Sequence, residues 1–230
     1  MILSRLYLSV LLIASFIFMP VTIRSQEQNV RPGINQSYQT PDFQKWRAVF
    51  ESPGREVFDR RHAILDVLQL KSGMKIADIG AGTGLFTQLF AQSVGPEGQV
   101  YAVDISRNFV ENIERRARDN DLSNVQGVVN NAKSVNLPPE SINLAFVCDT
   151  YHHFEYPLTT LQSIHNALRP GGTLVIIDFR RIPGFSSKWV MNHVRTDKQA
   201  VIEEIESKGF QMVEDNSLLQ TNYFLRFLKM

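Results

Sequence analysis

Asp78-Ile79-Gly80-Ala81-Gly82-Thr83-Gly84 follows the short apolar run that starts at Lys75, and it leads into a helix with Leu85, Phe86, Leu89, Phe90 and Val94 on one face. A buried strand, a bend of alternate glycines and an amphipathic helix together open a strand–helix–strand unit. Glycine lets the backbone turn sharply and approach a ligand without a Cβ in the way, and the helix start is expected to offer unpaired N–H groups to negative oxygens. The alternation continues outward from this point. Gln99 to Val103 reads as a strand, followed by a helix marked by Phe109, Val110, Ile113 and Ala117. Val125 to Val129 and Ile142 to Cys148 read as strands, Leu158, Leu161, Ile164 and Leu168 line a helix, and Thr173 to Phe179 is a fully apolar strand. Thr196 with Gln199 predicts a capping box opening a helix through Val201, Ile202 and Ile205 that closes at Gly209. Phe210 to Val213 and Tyr223 to Leu228 follow as strands, and Val57, Ile64, Leu65 and Leu68 place a helix upstream, between Pro53 and Leu70. Strands alternating with helices call for an α/β fold, a doubly wound, mostly parallel sheet in three α/β/α layers.

Composition narrows the classes. The chain has 230 residues, 43% hydrophobic, enough for one domain with a sizeable core. Lys plus Arg number 24 against 23 Asp plus Glu, so no basic surplus argues for a nucleic-acid partner. The single cysteine, Cys148, excludes an intramolecular disulfide and any multi-thiolate zinc site.

Arg5 precedes an apolar run from Leu6 to Ile23, after which the chain turns polar at Arg24-Ser25-Gln26-Glu27. Residues 1–25 are therefore expected to be an export signal or a membrane anchor, with small Ser25 as the cleavage cue and Pro20 ending the apolar segment. Cleavage would leave an exported protein, periplasmic or extracellular; retention would tether the chain to a membrane through residues 6–23. Residues 26–45, rich in Gln, Asn, Pro and Ser, read as a linker, and residues 46–230 as one domain with a helical N-terminal cap.

In an open parallel sheet, ligands bind beyond the carboxyl ends of the strands, where the winding reverses. Asp104 follows the second strand, placed to accept the hydroxyl protons of a ribose, so with the glycine bend a nucleoside-containing ligand is expected. The glycine spacing rules out two familiar nucleotide loops. The dinucleotide fingerprint needs its third glycine where Leu85 stands, and no Gly-Lys-Ser/Thr follows for a P-loop.

Asp78 with Gly80, Gly82 and Gly84 resembles the first motif of the class I S-adenosylmethionine-dependent methyltransferases, and the likeness continues in order along the chain. Val103-Asp104-Ile105-Ser106 resembles the second motif, Asn131-Ala132 lies where many members have an acid before Ala, Cys148 to Phe154 resembles the segment after the fourth strand, and Leu168-Arg169-Pro170-Gly171-Gly172 looks like the turn into the fifth. The resemblance spans roughly Met74 to Phe179. It implies a seven-stranded sheet with an antiparallel last strand, S-adenosylmethionine as cofactor, and transfer of its methyl group to an O, N or S nucleophile. It also implies that Asp78, Gly80, Ala81, Gly82, Thr83 and Gly84 cradle the cofactor, that Asp104 holds the ribose with Ile105 on adenine, that Asn131 and Ala132 meet the adenine amine, and that Asp149 contacts the amino-acid end.

His152 and His153 follow a buried strand at the crevice and are the candidate general bases, since an ordinary imidazole pKa near ~6.5 suits proton removal at neutral pH. A structural role for either ring is the competing reading. Two histidines lack a third ligand, so no metal site is expected. Arg180 and Arg181, after the fifth strand, are candidate clamps for a substrate carboxylate or phosphate; two solvated surface cations is the plainer alternative. His193 and Arg195 belong to a segment that could form a lid. Trp46, Phe50 and Arg55 could close over the cofactor, although core packing would account equally well for the aromatics. Paired histidines at this place also occur in the ubiquinone and menaquinone biosynthesis methyltransferases. The acceptor is accordingly read as a small molecule, with a membrane-borne quinone precursor or phospholipid as one alternative and a non-catalytic cofactor-binding module as another. Export stands in tension with this reading, because S-adenosylmethionine is made in the cytosol.

Overall fold

The computed structural model describes residues 26–230. The expected signal or anchor, residues 1–25, lies outside the described residues. Among the described residues no helix is long and apolar enough to cross a membrane.

Seven strands form one sheet in the order β3-β2-β1-β4-β5-β7-β6, with β1 Lys75–Ile79, β2 Gln99–Asp104, β3 Val125–Val129, β4 Ile142–Cys148, β5 Leu168–Phe179, β6 Phe210–Asn216 and β7 Asn222–Lys229. All neighbours pair in parallel except β7, which runs antiparallel to both β5 and β6. This is the expected three-layer α/β arrangement with an antiparallel last strand. The winding reverses between β1 and β4, and the ends of these two strands set where a crevice opens.

Alternation in the central strands feeds two cores. On β4, Ala145 and Val147 face a cluster with Leu161, Ile164, Ile202 and Ile205 from helices α6 (Pro157–Ala167) and α8 (Lys198–Glu206). Leu144 and Phe146 face the opposite cluster, with Ile64, Leu68, Phe86, Phe90 and Val94 from α3 (Arg61–Leu68) and α4 (Leu85–Val94). Leu174 and Ile176 of β5 divide from Val175 and Ile177 in the same way, so strands covered on both faces read as unbroken apolar runs. Helix α5 (Arg107–Asp119) packs on β2 and β3 and is capped by buried Ser106, whose hydroxyl accepts from the Phe109 N–H.

The structure departs from the sequence reading at several boundaries. The helix expected between Pro53 and Leu70 is two, α2 (Glu56–Asp59) and α3, and the second closes with Gln69 in the left-handed region at φ 52°. Asp197, not Thr196, caps α8, accepting from the Ala200 N–H at 3.0 Å, because the acid lies in the extended conformation that aims its oxygen at the first turn. Residues 26–45 are bound to the domain rather than free of it. Glu27 accepts from the N–H groups of Leu158 and Thr159 at the start of α6, at 2.8 and 2.7 Å, and Asn35 donates to the His153 carbonyl. Polar composition looked like a linker because much of the docking is by hydrogen bonds, with Tyr38 and Phe43 as isolated apolar contacts that make no periodic signature. The cap helix α1 (Phe43–Phe50) then begins three residues before Trp46 with Phe43 buried against Phe109.

Phe146 meets the rings of Phe86 and Phe90, with centroids 4.9 and 5.0 Å away. Phe146→Ala is expected to cost about 3–5 kcal/mol, read as a lower urea midpoint with the slope of the transition preserved.

Candidate functional site

The bend after β1 and the loop after β4 touch. A Cβ on Gly80, whose φ is +72°, would lie 2.2 Å from Thr150 Cγ2, so only glycine lets the two segments close. Their contact forms one wall of a cavity of about 610 Å³ at the point where the winding reverses. Asp78, Ile79 and Gly80 to Thr83 line it, as do Asp104 and Ile105, Asn131 and Ala132, Cys148, Asp149 and Thr150, and His153. Gly84 is not in the lining; with φ +81° it starts α4 against Ile113.

The backbone N–H groups of the bend are already engaged. Gly80 and Ala81 donate to the Val103 carbonyl, Gly84 to the Ala81 carbonyl, and Gly82 to Asp104 Oδ2 at 2.9 Å. At the helix start, where free N–H groups for negative oxygens are expected, Gly84 is thus already engaged. The bend shapes the wall, and carboxylates supply its charge.

Asp104 is buried and accepts from Gly82 through Oδ2 and from the Ser106 N–H through Oδ1, at 2.8 Å. Each oxygen keeps a lone pair for a further donor, which suits a diol. Burial raises Asp104 to about 6, opposed by its backbone donors. Asp78 accepts from the Thr87 hydroxyl at 2.6 Å and is pushed by burial to about 7, with the Thr87 bond opposing and the Asp104 charge adding. Asp149 takes φ 48°, an uncommon conformation for a residue with a side chain. Arg55 pairs with its Oδ2 at 2.7 Å, and Asn222 donates to Oδ1 at 2.6 Å. Burial raises Asp149, and the Arg55 charge works against it. Burial also pushes the Cys148 thiol up, which keeps it protonated.

At the adenine-amine position expected for Asn131, Oδ1 of that residue is taken by the Lys133 N–H at 2.9 Å. Its neighbour Asn130 also lines the cavity, and there Oδ1 is buried without a partner, so Asn130 presents the free acceptor.

The two adjacent histidines separate in role. His152 is buried outside the cavity lining, with Nδ1 2.7 Å from Asp178 Oδ1 and its N–H on Oδ2. Burial alone would lower its pKa, but the charge and hydrogen bond of Asp178 outweigh it and hold His152 above the ordinary value. This ring braces the site. His153 lines the cavity beside Tyr38, which meets it edge-on at 5.2 Å. Burial pushes His153 down to about 2, reinforced by His152 and His193, so it stays neutral at working pH. His193, on the short helix α7 (Lys188–His193), faces it with Nε2 3.4 Å from Nε2 and stacks on Trp189. The third imidazole missing from the sequence reading is therefore supplied by folding.

The two arginines do not reach the cavity. Arg180 Nε donates to the Asn222 carbonyl at 2.9 Å and Arg181 Nη2 to the Met191 carbonyl at 3.2 Å, so both hold the loop after β5 in place. Sequence reasoning missed Asn222 and Asn130, and it also missed the Glu51 carboxylate, which ties Thr83 Oγ1 (2.9 Å) to Arg116 Nη1 (2.7 Å) and locks α1 over the bend. None carries a motif, and only the pairing of distant segments brings them to the site.

Residues 70–226 match the family described as Methyltransferase domain. The demethylmenaquinone methyltransferase of Geobacillus sp. strain WCH70 is 26% identical over 132 residues, 54% of this chain and 56% of that protein. The Geobacillus stearothermophilus protein of the same name is 25% identical over 162 residues, covering 65% and 69%. The chain spans little more than half the length of the first of these curated relatives. Among solved structures, a SAM-dependent methyltransferase from Aquifex aeolicus superposes with TM-score 0.73 at 22% identity, over 83% of this chain and all of that one. An S-adenosylmethionine-dependent methyltransferase from Mesorhizobium loti gives 0.60 at 16%, over 76% and 98%.

Asp78 and Asp104 hold protons in the folded protein that the unfolded chain, with carboxyls near 3.8, has released. Their contribution to stability therefore falls as pH rises from about 4 to about 7. Asp78→Asn is expected to flatten that slope by up to about 1.4 kcal/mol per pH unit, measured by urea unfolding at intervals across this range.

Proposed function

Because this chain belongs to the methyltransferase domain family, we infer that it is an S-adenosylmethionine-dependent enzyme that methylates an O, N or S nucleophile of a small molecule. The observation that carries this is the set of three buried carboxylates, Asp78, Asp104 and Asp149, around a cavity whose glycine bend has spent the N–H groups named above. Such a wall repels phosphates and suits a ligand with a ribose diol, a sulfonium and an ammonium group. In this reading Asp104 takes the ribose, Asn130 the adenine amine with Ile105 on the ring face, and Asp78 and Asp149 the amino-acid end.

Bound S-adenosylmethionine supplies a methyl carbon on cationic sulfur: the nucleophile's lone pair bonds that carbon as the carbon–sulfur bond breaks, with its electron pair kept by sulfur. The chain's own contribution is placement and exclusion of water. Tyr38, Trp46 and Phe50 meet in series at tilted angles, 4.9 and 5.0 Å apart, with Phe50 against Gly82 of the bend, while Phe179 and Trp189, beside His193, form the part of the lining that this reading takes as the acceptor end. His153 and His193 are the polar groups of that end; His153, pushed down to about 2 by burial, is too weak a base to take the nucleophile's proton and orients the acceptor by hydrogen bonding instead.

A membrane-borne acceptor is the second reading, and the rim favours it. Val49, Ile182, Phe185 and Trp189 are exposed, Val49 and Trp189 at the cavity itself. An apolar rim fits an acceptor that arrives from a lipid surface, in keeping with an N-terminal segment 6–23 that serves as export signal or anchor. The names of the Geobacillus relatives point to a quinone precursor as the class to test first.

Asp104→Ala should weaken S-adenosylmethionine binding by at least about 100-fold in calorimetry, since hydrogen bonds to a charged group contribute about 1.5–3 kcal/mol each; unchanged affinity sinks the placement. Radioactive methyl transfer should appear with quinone precursors, lipids or pooled metabolites, whereas tight cofactor binding without any transfer would mean a binding module. Mass spectrometry of the protein from cells should find either a chain shortened by the first 25 residues or the intact anchored form.

A further inference from the structure

We propose that His152, His153 and His193 bind a divalent transition-metal ion at the acceptor end of the cavity, with an open coordination position toward the substrate. One ring nitrogen from each residue lies within 4.8 Å of the others. The facing Nε2 atoms of His153 and His193 are 3.4 Å apart. Two nitrogens on a tetrahedral ion, each at about 2.0–2.1 Å from it, are separated by about 3.4 Å. Hydrogen bonding within the protein leaves this cluster incomplete. The two facing Nε2 atoms can share only one proton between them.

The surroundings are those of a ligand set. Asp178 holds Nδ1 of His152 at 2.7 Å, which fixes that ring's orientation and leaves Nε2 as the ligating atom. A carboxylate behind a metal-bound imidazole raises the basicity of the ligand and is a recurrent outer-shell partner. Among the charges that act on His152, Asp178 and Asp149 favour a cation, and Arg31, which opposes one, is tied to the Asn192 carbonyl. His193 sits on a six-residue helix next to exposed Trp189 and is the member best able to adjust. His153 and His193 border the cavity, so a ligand taken in the open position would come from the acceptor. Three imidazoles suit Zn²⁺ and its neighbours in the first row, and three protein ligands with one open position mark a catalytic site.

This rests on the methyltransferase reading only for its use: an acceptor oxygen or sulfur bound to the ion would release its proton to solvent and present a lone pair to the methyl carbon. The imidazoles would then act as ligands, and the ion would do the work of a base. The test is direct titration of chelator-treated full-length protein without S-adenosylmethionine, by calorimetry with Zn²⁺ and by visible absorption with Co²⁺. One equivalent is expected to bind with a four-coordinate Co²⁺ spectrum. His193→Ala should weaken binding at least 100-fold and Asp178→Asn by about 10–100-fold, while His165→Ala, remote from the cluster, should match the parent. Retained S-adenosylmethionine affinity reports that each variant is folded. Binding well below one equivalent, or equal affinity in His193→Ala and the parent, overturns the proposal. Stoichiometric Zn²⁺ with no S-adenosylmethionine binding would instead overturn the methyltransferase reading and leave the metal site standing.

Discussion

The missing side chain at Gly80 is the constraint on which the site depends. With no Cβ there, Thr150 closes against the bend, and the loops that leave β1 and β4 meet where the sheet reverses its winding. That contact sets Asp149 and His153, delivered by β4, around one cavity with Asp78 and Asp104, delivered by β1 and β2. The left-handed backbone of Asp149 belongs to the same closure, and Arg55 and Asn222 hold it from two other segments.

Charge rather than free backbone donors defines what the cavity accepts. Folding uses the N–H groups of Gly80, Ala81, Gly82 and Gly84 to brace β2 and the bend itself, so a phosphate finds no donors from them. Three acids remain, each raised by burial, and a cationic ligand would favour their ionised forms. Carboxyls raised by burial thus reduce the stability of the free protein at neutral pH, and a cationic ligand beside them would offset that cost.

The rest of the cavity lining is built differently. Aromatic rings from the N-terminal cap and from the segment after β5 enclose it, and imidazoles provide its polarity. Glu51 locks the cap to the bend through Thr83 and Arg116, while Glu27 and Asn35 fasten the polar leader of the domain onto α6 and the histidine loop. Enclosure and cofactor wall are consequently parts of one hydrogen-bonded assembly.

Local sequence sufficed where the physics is local. Strand period, glycine bends and the acid at the end of β2 announced the sheet, its order of elements and the position of Asp104, because burial on both faces and backbone conformation leave their mark on adjacent residues. It could not decide where two nearby residues have the same chemistry and only direction separates them: His152 turns to Asp178 and His153 to the cavity, Oδ1 of Asn131 has a partner and that of Asn130 has none, and Arg180 and Arg181 bond carbonyls of β7 and α7. Arg55 against Asp149 and His193 against His153 join positions 94 and 40 residues apart. No periodicity encodes such pairs, since they exist only once the chain has packed, and tertiary structure alone decided which side chains share the site.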